Sequence, residues 1–187
     1  PIEWELEGFA IPRKAIEAEF LKTVAAPLDM QCQLHFSDVI PRMAVFVSGY
    51  SHCLHDILSR YQGGDWRVEI PLVISNHDAL RGPVEGLGID YHQIDITPRN
   101  KQQQEQVQLA LLAEHNIDFI VLARYMQILS PGFIRHFPSR IINIHHSFLP
   151  AFPGARPYHS AHARGVKVIG ATSHYVTAEL DDGPIIE

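Results

Sequence analysis

A chain of 187 residues is long enough to bury a sizeable core and fits one α/β domain, or one such domain with part of another. A net charge of -6 without any Lys/Arg cluster argues against nucleic acid and against an anionic membrane surface as partners, and points to a small molecule. No apolar run approaches the length of a membrane span and no signal peptide is recognisable, so a soluble protein is expected. Cys32 and Cys53 are only two and far apart, which favours a reducing compartment over a disulfide scaffold and makes the cytoplasm the default location. Twelve histidines, recurring between residues 145 and 174, ask for acid–base chemistry or a metal unless composition alone explains them.

Residues 2–6 alternate apolar and charged side chains as a half-buried strand does, residues 15–24 place Ile16, Phe20 and Val24 at helical spacing after Pro12, and residues 31–36 alternate again. This is part of a small α+β unit, residues 1–38, too short to hold a core alone. Residues 39–42, with Pro41, read as a linker. From Met43 to Glu187 buried strands alternate with helices, the signature of a mostly parallel sheet with crossovers on both faces. Strands are expected at residues 43–47, 68–74, 117–123, 141–145 and within the apolar region 166–176. Helices are expected at residues 51–61, ended by Gly63-Gly64, and at 101–115, with Val107, Ala110 and Leu111 inward. Short helices are expected at 132–136 and 157–164, and Asn76-His77-Asp78 is placed to cap another. Gln102-Gln103-Gln104 reads as a solvated helix start, and no repeat interrupts the chain.

The chemistry concentrates at residues 140–154. Ile141, Ile142 and Ile144 favour a buried strand, so Asn143 and His145 become same-face neighbours at its end, followed by the rigid Leu149-Pro150 and Phe152-Pro153-Gly154 steps. An amide beside an imidazole can hold a developing oxyanion and deliver a proton. On spacing alone, a plain hydrogen-bonded polar pair at a strand end is the stronger reading. His146 points to the opposite face if the strand continues. Asp181-Asp182-Gly183-Pro184 holds at least one carboxylate in a tight turn, and such a group near an imidazole favours its charged form or orients water. His145, His146, His159, His162, His174 and the aspartates lack the spacing of a zinc motif, and no metal is expected. Cys53 between His52 and His55 reads as a packed small residue ahead of a nucleophile. Gly49-Tyr50-Ser51-His52-Cys53 lacks the repeated glycines of a dinucleotide loop.

Taken together, Asn143-Ile144-His145, Ser147-Phe148-Leu149-Pro150, Phe152-Pro153-Gly154, Gly170-Ala171-Thr172-Ser173-His174 and Glu179-Leu180-Asp181-Asp182-Gly183-Pro184 resemble the folate-dependent formyltransferase superfamily. The resemblance runs from about Met43 to Glu187. It implies a Rossmann-like catalytic domain with Asn143, His145 and Asp181 as catalytic residues. Val121 to Pro131 is similar to the superfamily's folate-binding stretch, which implies a substrate pocket lined by Leu122, Met126, Gln127, Ile128, Leu129, Ile134 and Val176. His145 to Pro150, Gly154 to His159, Ile74 to Asp78 and Ser51 to Leu54 are most similar to the hydrolytic, deformylating branch. That branch turns 10-formyltetrahydrofolate into tetrahydrofolate and formate, supplying formate for purine synthesis and balancing one-carbon folate pools.

The resemblance further implies no cofactor beyond the folate substrate. Residues 1–38 resemble the later part of an ACT module, a ferredoxin-like regulatory unit. This implies a small amino acid such as glycine or methionine as effector and self-association through that module, with the module's first strand and helix and the end of the catalytic domain beyond these residues. In amine-acceptor relatives of the glycinamide ribonucleotide type, a small-residue Asn-Gly-Ser-Asn loop cradles the acceptor's phosphate, and an Arg stands at the position of Gln127. Here Tyr50 and His52 are expected to fill that acceptor space and leave water as the acceptor. Formyl transfer to an amine, and a non-catalytic folate or amino-acid sensor, remain as alternatives.

Overall fold

Pro12, with φ -58° and ψ 137°, holds the chain extended just ahead of helix α1 (Arg13–Phe20), which continues through a π-helical turn at Leu21–Ala25 and a 3-10 turn at Ala26–Leu28 to a left-handed Asp29. These elements belong to the first of two units, Pro1–Val39 and Ile40–Glu187. A computed structural model describes residues 2–152, 154 and 156–187; Pro153, part of the expected rigid turn, lies outside the described residues, as does Ala155. In the first unit the helix is formed, but the strands expected at residues 2–6 and 31–36 are not. A strand needs a neighbour for its N–H and C=O groups, and none of the described residues here provides one. The alternating aromatic residues are used otherwise: Trp4 packs its ring 5.5 Å from Phe20, while Arg13 pairs with Asp38 and lies 4.2 Å over the Phe36 ring.

The second unit is built on β1 (Arg42–Val47), which starts one residue inside the expected linker. Its side chains alternate between two cores: Met43, Val45 and Val47 pack with Leu54, Ile57 and Leu58, whereas Ala44 and Phe46 pack with Leu112, Phe133 and Ile141. Each layer is covered by helices. They are α2 (His52–Gly63), α3 (Arg81–Glu85), α4 (Lys101–Glu114), α5 (Pro131–Ile134) and α6 (Pro157–Ala163). The remaining strands are β2 (Glu69–Ser75), β3 (Asp90–Gln93), β4 (Phe119–Ala123), β5 (Ile141–His145) and β6 (Thr172–Tyr175). The six strands lie in the order β3-β2-β1-β4-β5-β6, all parallel except β6, which pairs antiparallel with β5. The chain is thus an α/β fold of the doubly wound kind, and its strand order reverses between β1 and β4.

Three expectations are corrected. Helix α4 buries Glu105, Gln108 and Leu112, while Val107 is 43% exposed and Ala110 also faces outward. The polar face is inward because it has partners: Ser130 donates to Glu105 from both its backbone N–H and its hydroxyl, and Gln108 Nε2 donates to the Tyr125 hydroxyl at 3.0 Å. Secondly, the apolar region 166–176 is a strand only at Thr172–Tyr175, with Val166 and Val168 exposed. Its ladder ends at the His145–Thr172 pair because β5 ends there. Thirdly, Asn76-His77-Asp78 does not cap α3. Asn76 accepts from Ser48 Oγ, the His77 carbonyl accepts from Tyr91, and Asp78 binds Arg81 Nε at 2.7 Å. Among the described residues, no helix is long and apolar enough to cross a membrane.

Ser130 joins this polar layer to α5, since its Oγ also accepts from Phe133 N at 3.1 Å. Ser130→Ala removes both the cap and a partner of the buried Glu105. It is expected to cost about 1–2 kcal/mol, seen as a lower denaturation midpoint at unchanged slope. A midpoint equal to the parent's would contradict this role.

Candidate active site

Register places the polar groups. Leu122 of β4 lies beside Asn143 of β5, which lies beside His174 of β6, so three side chains form a row across three strands. Asn143 Nδ2 is 3.1 Å from His174 Nε2. The other nitrogen of His174, Nδ1, donates to the Tyr175 carbonyl at 3.0 Å, which leaves Nε2 of the neutral ring as an acceptor for the amide. His174 therefore orients Asn143. Two residues along β5, His145 is 5% exposed and its Nε2 donates to the Phe152 carbonyl at 3.0 Å, an acceptor shared with Ser147 Oγ at 2.7 Å. A carbonyl only accepts, so the hydrogen of neutral His145 resides on Nε2 and its lone pair on Nδ1.

Nδ1 faces Asp181, 3.5 Å from Oδ2, while Oδ1 lies 3.7 Å from His174 Nε2. The Asp181 side chain is 6% exposed and accepts from Gly154 N–H at 2.9 Å. Asp182 is exposed. The turn carrying Asp181 has φ 56° there, and it is fixed behind by Gly183, where an added Cβ would lie 1.7 Å from the Tyr175 carbonyl oxygen. Only glycine permits that approach, and Tyr175 N–H then donates to the Pro184 carbonyl at 2.9 Å.

These groups line one cavity of about 260 Å³. Around it lie Asn143, His145 and Asp181 together with Leu122, Met126, Gln127, Ile128, Leu129, Ile134 and Val176, the residues singled out from the sequence. It has a polar end at the close of β5 and an apolar wall from the segment after β4. Ser48 Oγ anchors that segment by accepting from Met126 N–H at 2.9 Å while donating to Asn76. His146 follows the end of β5 and lines the same cavity, in contrast to the opposite face expected for a continued strand.

Tyr50 and His52 do not line the cavity. Tyr50 is 56% exposed ahead of α2, with the guanidinium of Arg124 4.8 Å from its ring. Arg124 lines the cavity instead, as do Tyr125 and His174, none of them given a role from the sequence. Burial pushes the Tyr125 hydroxyl up to about 12, which keeps it neutral. Cys53 is half-buried against the core, and burial pushes its thiol up despite the nearby Arg124, as suits a packed residue. His159 and His162 are exposed on α6, and among the described residues no three His, Cys, Asp or Glu side chains form a group able to hold a metal.

A mostly parallel sheet with a cavity at the ends of β4 and β5 that closes on an Asn, a His and an Asp defines a class, and residues 41–187 match the family model described as Formyl transferase. This chain belongs to the formyl transferase family. It is 54% identical over 186 residues to a protein of Synechocystis sp. named formyltetrahydrofolate deformylase, covering 100% of this chain and 65% of that one. A Bacillus subtilis protein of the same name is 49% identical over 186 residues, covering 100% of this chain and 62% of the relative. Among solved structures, a formyltetrahydrofolate deformylase from Pseudomonas syringae pv. tomato superposes with a TM-score of 0.90 at 43% identity, covering 95% of this chain and 59% of that one. The chain thus spans under two thirds of the length of these relatives.

The pH response of this site follows from His146. Burial first, then the charges of Arg124 and His145, push its imidazole below the usual 6.5, with Asp181 opposing. The unfolded chain therefore takes up a proton in the window below 6.5 that the folded chain refuses. This contribution is fully present above that window and declines as pH falls through it. Thermal midpoints measured from pH 7 downward should fall less steeply for His146→Gln than for the parent. Parallel curves would show that His146 is not the group responsible.

Proposed function

We propose that this chain carries the catalytic unit of a formyltetrahydrofolate deformylase, hydrolysing 10-formyltetrahydrofolate to tetrahydrofolate and formate. The observation that supports it most is the approach of Asp181 to His145 Nδ1 at 3.5 Å, beside Asn143, at the polar end of a cavity with an apolar wall. The names and high identity of the relatives support the same reading. In this reading the pterin lies against Leu122, Met126, Ile128, Leu129, Ile134 and Val176, with Gln127 as a polar contact, and the folate is substrate with no further cofactor. Asp181 accepts the proton of a water that adds to the formyl carbon. The developing oxyanion receives hydrogen bonds from Asn143 Nδ2 and from His145 Nδ1.

Because Nε2 is committed to Phe152, donation at Nδ1 requires the imidazolium, with the Asp181 carboxylate 3.5 Å from that atom. Collapse of the tetrahedral adduct breaks the bond from carbon to N10, N10 takes the proton that Asp181 had accepted from water, and the formic acid so formed loses its proton to solvent and departs as formate. The neighbouring Asp182 is exposed and takes no part. Asp181→Asn keeps the Gly154 contact within reach of an amide oxygen but loses the base. Turnover should fall by about 10²–10⁴-fold, with folate binding and fold retained, whereas Asp182→Asn should be mild. The assay is formate release from 10-formyltetrahydrofolate with no amine present, alongside glycinamide ribonucleotide as a competing acceptor. Formyl appearing on that amine faster than formate in solution would favour the transferase reading instead. Equal losses in the two Asp variants would remove Asp181 from its role.

A further inference from the structure

Among the described residues, two buried side-chain polar atoms lack a hydrogen-bond partner, Gln108 Oε1 and Arg124 Nε. The second is a donor on a permanent cation, and a buried charged donor without an acceptor is costly unless a ligand completes it. Arg124 directly follows β4, at the switch point, and its φ is 59°, a left-handed backbone that a bulky residue adopts at a cost. The conformation is pinned, since the Arg124 carbonyl accepts from Ser48 N–H at 3.3 Å across the gap between β1 and β4. The guanidinium carbon lies 4.8 Å from the centre of the Tyr50 ring, a contact that holds the side chain without neutralising its charge. Arg42, Arg60 and Arg81 each have a carboxylate partner, and no ion pair is found for Arg124 among the described residues. Arg124 is also the sole Lys or Arg among the described residues lining the cavity that holds Asn143, His145 and Asp181.

We propose that Arg124 is a carboxylate-binding residue of this cavity, receiving through its guanidinium the formate released beside Asn143, His145 and Asp181. The source of the carboxylate rests on the hydrolytic reading above; the anion site itself does not. Hydrolysis turns a neutral formamide into an anion next to the Asp181 carboxylate, which repels it. A planar guanidinium fork in the same cavity matches a carboxylate in shape and charge. The glutamate of the folate offers the same chemistry, so the two sources have to be told apart.

The test titrates ¹³C-formate into the intact protein by NMR and compares the parent with Arg124→Gln and Arg124→Lys. In parallel, KM is measured for 10-formyltetrahydrofolate and for its analogue lacking the glutamate. Formate as the ligand predicts that Arg124→Gln weakens formate binding about tenfold or more, that Arg124→Lys weakens it less, and that the ratio of the two KM values stays constant. A changed KM ratio with formate affinity unmoved would keep the carboxylate site but assign it to the folate glutamate, overturning the formate proposal. If neither quantity changes in folded variants, the site is overturned altogether, and should Arg124→Gln not fold, Arg124→Lys decides. Formate binding needs no turnover, so a protein that binds formate through Arg124 yet hydrolyses nothing would fail the deformylase reading alone.

Discussion

The carbonyl of Phe152 accepts hydrogens from His145 Nε2 and Ser147 Oγ, and this shared acceptor decides what the imidazole can do. With Nε2 occupied, only Nδ1 is free to gain or lose a proton toward the cavity. Asp181 approaches that atom because its carboxylate is held by Gly154 N–H, and because Gly183 lets the returning chain lie against the Tyr175 carbonyl. The cross-strand neighbour His174, whose own Nδ1 is tied to a backbone carbonyl, presents an acceptor that turns the Asn143 amide. Backbone carbonyls thus set the tautomers of both histidines, and the tautomers set the direction of each reacting group.

The sheet makes this possible by ending β4 and β5 beside the return of β6 around one crevice. Parallel strands buried on both faces form a rigid floor, and Ser48 and the polar layer of Glu105, Gln108, Tyr125 and Ser130 hold the segment after β4 above it. Burying that layer beneath the cavity wall is tolerable because most of its groups are paired. The exceptions, Gln108 Oε1 and Arg124 Nε, both lie close to this segment, where local rules yield to the requirements of a site.

The elements that were legible from sequence are those whose burial is continuous. The runs that became β1, β2, β4 and β5 are rich in Val and Ile, and a parallel sheet covered on both faces leaves few ways to place such runs. Asn143 and His145 were legible as a same-face pair because the strand period restricts where they point, whereas Asp181 was told from Asp182, and the three joined into one site, only through the resemblance to the superfamily. Their convergence was not legible from the period itself, since it depends on the antiparallel return of β6 and on the Gly183 contact. Periodicity misread α4, because Glu105 and Gln108 are inward through specific partners 17 to 25 residues away. It missed β3, a short edge strand of mostly polar residues, and it extended β6 into residues that have no neighbouring strand. The alternations at residues 2–6 and 31–36 carried no information about a pairing partner. The left-handed backbone of Arg124 left no signal in composition at all.

The central claim is that His145 holds its hydrogen on Nε2 and presents the lone pair of Nδ1 to the cavity. Nitrogen NMR of the protein labelled with ¹⁵N-histidine reads this directly, with His145→Gln assigning the resonances. The account predicts the Nε2 signal of a protonated nitrogen and, in the neutral ring, the Nδ1 signal of an unprotonated one. A neutral ring with its hydrogen on Nδ1 and an unprotonated Nε2 would contradict it.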